Sequence, residues 1–81
     1  MTDPQEATLQ RLIALSARRF AKTPEALGGD TDIFQSLGVD SVHLLELLSE
    51  LEREWGIEIP DYELRSVKTF ADLAGVIQRR L

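Results

Sequence analysis

Between Asp40 and Gly56 the chain reads SVHLLELLSELEREW, and this segment constrains the fold more than any other. At about 100° per residue, Leu44, Leu45, Leu47, Leu48, Leu51 and Trp55 fall in one broad apolar sector. His43, Glu46, Ser49, Glu50, Arg53 and Glu54 lie opposite. Asp40 is placed to cap the start of the helix and Gly56 to break its end. A lone amphipathic helix of this length is marginal in water, so its leucines require partner helices. Two residues do not fit a packing role. Ser41 stands at the first helical position, and Val42 is the only large apolar residue on the polar side.

Partner helices are present on either side. Asp3 as cap, Pro4 at the first helical position and Glu6 in the first turn open a helix whose apolar face is Leu9, Leu12, Ile13, Ala17 and Phe20. The stretch AKTPEALGGDT ends it through Pro24 and the Gly28-Gly29 pair, and begins a long connection anchored by Ile33, Phe34 and Leu37. Connections of that length are uncommon unless they are functional or contain a short helical turn. After Gly56, Ile57 and Ile59 point the same way along an extended GIEIP, and DYELRSV reads as a short third helix capped by Asp61. The last helix opens at Thr69, with Asp72 three residues on in a capping box, and its buried face is Phe70, Leu73, Ala74, Ile77 and Leu81. The predicted fold is all-α: a single domain over residues 1–81, a four-helix bundle with a short third helix and a long loop between helices one and two.

A chain of 81 residues buries only about 60% of its unfolded surface, which favours presenting something at the surface over building a catalytic cleft. There are no cysteines, so disulfides and thiolate metal sites are excluded. The N-terminal MTDPQEATLQ lacks the basic and apolar regions of a signal peptide, and no apolar run approaches membrane-spanning length. The expectation is a cytoplasmic protein with no membrane partner. Residues 1–22 carry a net charge of +2, residues 23–64 of −10 and residues 65–81 of +3. An acidic middle repels phosphates and argues against nucleic acid, and it suits a partner with a basic face.

Ser41 and His43 do not make a catalytic dyad, because residues two apart on a helix project in different directions. No oxyanion arrangement accompanies them, and the chain is not expected to be an enzyme. Asp30, Asp32 and Asp40 miss the spacing of a calcium loop, and no metal site is expected. Ser41 has a different chemical opportunity. A small exposed hydroxyl at a helix N-terminus sits where unpaired N–H groups and the dipole favour a phosphate ester.

Taken together, LGVDSV before an apolar helix, then GIEIPD, then VKTFADLAGVI, resembles the acyl carrier protein family. The resemblance is strongest from Thr31 to Ile77 and weakest over helix one. It implies that Ser41 carries a covalent 4′-phosphopantetheine arm, with Asp40 and Val42 completing the recognised D-S-apolar core, and Leu37 and Gly38 matching the turn ahead of it. A phosphopantetheinyl transferase would move the arm from coenzyme A to the Ser41 hydroxyl, using Mg²⁺ at its own site. The arm's thiol would then hold acyl groups as thioesters for enzymes such as a ketosynthase or an acyltransferase. The partner-facing surface carries over to Val42, His43, Glu46, Ser49, Glu52 and Arg53, and the acyl chain would be lodged between helices two and three near Leu45, Leu48 and Ile59.

Three positions depart from the family pattern. Valine follows the serine where leucine is commoner, His43 replaces an expected acid, and Arg53 puts a positive charge on a face that fatty-acid carriers keep acidic. These departures favour polyketide or other specialised metabolism over housekeeping fatty acid synthesis. GVDS also differs from the G-G-x-S of peptidyl carriers. An initiator Met ahead of a complete bundle leads to the expectation of a free-standing protein, a monomer as befits a shuttle. The alternatives left open are a fatty-acid-synthesis or peptidyl carrier, and a small helical adaptor domain that never receives the arm.

Overall fold

The computed structural model describes residues 3–81. Three long helices make the body: α1 (Pro4–Arg19), α3 (Ser41–Trp55) and α4 (Phe70–Arg80), with a five-residue α2 (Ile33–Leu37) set in the connection between α1 and α3. Two 3₁₀ turns complete the chain, at Pro24–Ala26 and Asp61–Ser66. Among the described residues there is no strand, and the all-helical architecture is as expected. The bundle differs from the sequence reading in which short pieces are helical. Asp61–Ser66 is 3₁₀, with Pro60 rather than Asp61 at the cap position and no side-chain cap bond. Six residues after a proline form too few α-turns to stabilise themselves, and Asp61 instead supplies charge in the first turn.

Helix ends follow the local chemistry. The Asp3 carboxylate accepts from Gln5 N, and that of Asp40 from His43 N. Thr69 and Asp72 form a reciprocal capping box: Asp72 N donates to the Thr69 hydroxyl, and Thr69 N to the Asp72 carboxylate. Gly56 ends α3 in the left-handed conformation, φ 65°. The end of α1 falls directly before the AKTPEALGGDT stretch, as expected. The helix stops at Arg19, well before the glycine pair, and Ala21 takes the left-handed position at φ 55°, with Lys22 N bonded to Ala17 O at 2.8 Å. A Cβ makes that conformation costly, by roughly 1 kcal/mol against glycine.

The core runs through all the long helices. Leu12, Ile33, Leu47, Leu51, Phe70, Leu73 and Ile77 are its most buried large residues. Leu45 and Leu81, both expected inside, are exposed instead. Leu45 lies at the rim of the leucine sector, and Leu81 lies past the last turn of α4, so neither has an element to cover it. Ser16 is fully buried, and among the described residues its hydroxyl has no hydrogen-bond partner. Thr8, also buried, has its hydroxyl 3.0 Å from Pro4 O and 2.8 Å from Gln78 Oε1, one proton shared between two acceptors, and so ties α1 to α4.

The long connection is not slack. Ile33 N donates to Lys68 O and Ala71 N to Gly29 O, both at 2.9 Å, so the loop is stitched to the start of α4. Asp32 caps α2 through Gln35 N, and Gly38 closes it in the left-handed conformation at φ 66°. Ile33 and Leu37 are buried, which fixes α2 to the core and delivers the chain at Val39 to the head of α3.

Candidate functional site

The site is assembled from the α2–α3 corner. Gly38 turns the chain back through φ 66°, a value a residue with a side chain resists, and two residues later Asp40 begins α3. Asp40 Oδ1 accepts from His43 N at 3.1 Å and lies 2.8 Å from His43 Nδ1. The Asp40 carboxyl is held below the ordinary carboxylate value, first by the His43 backbone N–H and then by the His43 ring. His43, expected only as an exposed contact, is thus also part of the cap.

Ser41 is the first residue of α3 and is exposed. Among the described residues no hydrogen bond engages its hydroxyl, whereas the neighbouring carboxylate is occupied by His43. A small, open alcohol at the positive end of a 15-residue helix fits the attachment of a phosphate ester. Val42 is 63% exposed beside it. Leu45, one turn along, is 51% exposed and extends the apolar surface. Sequence periodicity assigned Leu45 to the core, and its position at the edge of the apolar arc was the one signal against that.

The remaining expected partner-facing residues are on α3 but differ in how they are held. Glu46 lies 3.4 Å from Arg19 of α1. The Ser49 hydroxyl donates back to Leu45 O at 3.3 Å. Glu52 accepts from Ile59 N at 2.8 Å, which secures the extended segment after α3. Arg53 is exposed and has no carboxylate partner among the described residues. The three residues expected to line an acyl pocket separate: Leu48 and Ile59 are buried, and Leu45 stands outside with Val42.

The sequence missed the contribution of α1. Arg19 reaches Glu50 at 3.0 Å as well as Glu46, and Arg11 pairs with Glu54 while its guanidinium lies 5.2 Å from the Trp55 ring centroid. The matching separation of Arg11 from Arg19 and of Glu46 from Glu54 was the readable signal. The acidic middle segment of the sequence is therefore partly neutralised in space. Among the described residues no helix is long and apolar enough to cross a membrane.

Comparison with known proteins gives the same reading. Residues 10–77 match the family described as "Phosphopantetheine attachment site". The acyl carrier protein of Rickettsia bellii (strain RML369-C) is 33% identical over 69 residues, 85% of this chain and 80% of that protein. That of Thermosynechococcus vestitus is 31% identical over 77 residues, 95% of each. That of Rickettsia rickettsii (strain Iowa) is 32% identical over 71 residues, 88% of this chain and 83% of the relative.

Proposed function

The chain belongs to the phosphopantetheine attachment-site family, and from that membership we propose that it is an acyl carrier protein with Ser41 as the attachment residue. The observation that carries the assignment is the open Ser41 hydroxyl at the first position of α3, beside a carboxylate already held by His43. The protein is a carrier and not a catalyst. When bound, the 4′-phosphopantetheine supplies a terminal thiol that holds an acyl group as a thioester.

The chain's own residues do the rest. Asp40 fixes the start of the helix, and the helix N-terminus accommodates the negative charge of a phosphodiester on Ser41. The Val42, His43, Glu46, Ser49, Glu52 and Arg53 face serves as the docking surface for the phosphopantetheinyl transferase and for acyl-loading and acyl-processing enzymes, a ketosynthase or acyltransferase among them. Such docking is brief, because a shuttle must release each enzyme in turn, and rim charges act mainly on the rate of encounter. His43 and Arg53 support service in polyketide or other specialised metabolism, and the proposed carrier works in the cytoplasm as a monomer.

The test is functional transfer. Holo-protein charged with a radiolabelled acetyl group should carry label that hydroxylamine releases, as a thioester requires, and Ser41→Ala should carry none. Label that resists hydroxylamine, or that persists on Ser41→Ala, contradicts the assignment. The pathway is read by offering the holo-protein to a polyketide ketosynthase and to a fatty-acid ketosynthase. Faster turnover with the fatty-acid enzyme overturns the specialised reading.

A further inference from the structure

One strip of α3 points away from the core. Val42, Glu46, Ser49 and Arg53 follow one another at helical spacing, with Leu45 on its flank. The acids on and beside this strip are already engaged. Arg19 pairs with Glu46 and Glu50, and Arg11 pairs with Glu54. Arg11 and Arg19 are about two turns apart on α1, as are Glu46 and Glu54 on α3, so the two antiparallel helices set base against acid along their length. Arg53 has no such partner among the described residues, and Val42 and Leu45 are the exposed apolar groups of the helix.

We infer that this face, its acids partly neutralised by α1, fits a phosphopantetheinyl transferase whose docking surface presents apolar contacts to Val42 and Leu45 and a carboxylate to Arg53, rather than a basic patch. The inference rests on the carrier reading and names the chemistry of the partner at that same site. Val42 and Arg53 have nearly the same direction around α3 and are about 16 Å apart along its axis. A standard interface covers about 800 Å² on each partner, roughly 28 Å across, so one docking footprint that includes Ser41 is wide enough to span both residues. A basic surface there would face Arg53 directly and find Glu46 already paired. A carboxylate finds an open guanidinium able to make two charge-assisted hydrogen bonds. Arg53 also lies in the last turn of α3, where a cation suits the helix dipole. That role affects helix stability and is read separately.

The experiment uses the intact apo-protein, coenzyme A and the purified phosphopantetheinyl transferase of the source organism. Initial rates of arm transfer are measured at low and high salt for wild type, Arg53→Gln, Arg53→Glu and Arg19→Gln, with a thermal melt of each. Every substitution makes the strip more negative. The inference predicts a kcat/KM about fivefold lower for Arg53→Glu, with smaller losses for Arg53→Gln and Arg19→Gln, all fading at high salt. Losses that track the melting temperature and ignore salt assign Arg53 to the helix dipole alone and overturn the inference. Faster transfer in all three variants reveals a basic partner and overturns it as well. Unchanged rates show that the enzyme does not read this strip, which sinks the inference and leaves the carrier assignment standing. Failure of wild type to accept the arm removes the carrier assignment itself, and the inference with it.

Discussion

The buried and outward sides of α3 are built partly from the same residue types, yet they hold the molecule together in one case and face solvent in the other. Leu44, Leu47, Leu48 and Leu51 are packed into the common core, with Leu47 0% exposed. Val42 and Leu45, on the same helix, stand largely in water. Apolar character alone therefore does not say what a residue is for; the element that covers it does. Asp40 joins the two sides, since it caps the helix that buries the leucines and adjoins the serine at the edge. Ser16 of α1 is the converse exception, a polar group inside with no partner among the described residues.

The two sides of α3 should respond differently to truncation. Leu47→Ala should cost about 2–5 kcal/mol in urea unfolding, because it leaves a cavity in a closed core. Arm transfer per folded molecule should be unchanged. A cost below about 1 kcal/mol would mean that the core collapses around the gap and is not the close-packed side described. The Ser16 exception predicts a smaller effect of opposite sign. Ser16→Ala should be neutral or stabilising by up to about 1 kcal/mol, since it deletes a buried hydroxyl without a bond. A clear loss of stability would reveal a partner for that hydroxyl.

The link between the two sides is tested by acid. The Asp40 carboxyl is lowered by the His43 backbone N–H and ring, and that of Asp72 by the backbone N–H groups of Lys68 and Thr69. A lowered folded value means that each carboxylate's contribution is fully present above the unfolded value, about pH 4, and is lost as pH falls through the folded value. Asp40→Asn keeps a capping oxygen that does not titrate. Its urea midpoint should change little at pH 7 and fall less than that of wild type between pH 5 and pH 3. Parallel acid curves for the two proteins would show that Asp40 does not link protonation to helix stability. The smallest stability effect belongs to the outward side: Leu45→Ser should stay within about 0.5 kcal/mol of wild type while slowing arm transfer. A large loss of stability would place Leu45 in the core after all.

Much of this architecture was legible because it is local. Asp3, Asp40, Gly56 and the Thr69–Asp72 pair each act within a few residues of their own helix end, and all do so as expected. Helix periodicity found the buried leucines but not the width of the covered arc, so it misplaced Leu45 at the rim and Leu81 at the terminus. The five residues of α2 are too few to show a period, although Asp32 and Gly38 bracket them with a cap and a turn. The pairing of charges was hidden for a different reason. Segment charges run along the chain, whereas Arg11 and Arg19 act across the gap between antiparallel helices. At the site, the proposal of Ser41 comes from its neighbours in sequence. The ring of His43 on Asp40 was not readable there, because it depends on a side-chain rotamer.

The central claim is that Ser41 is where the arm attaches. Wild type and Ser41→Ala are each incubated with coenzyme A, Mg²⁺ and a broad-specificity phosphopantetheinyl transferase, and their intact masses are recorded with fragmentation to locate any addition. Wild type should gain one phosphopantetheine, localised to Ser41, and the folded Ser41→Ala protein none. An unmodified wild type, or an addition that survives the loss of Ser41, would contradict the claim.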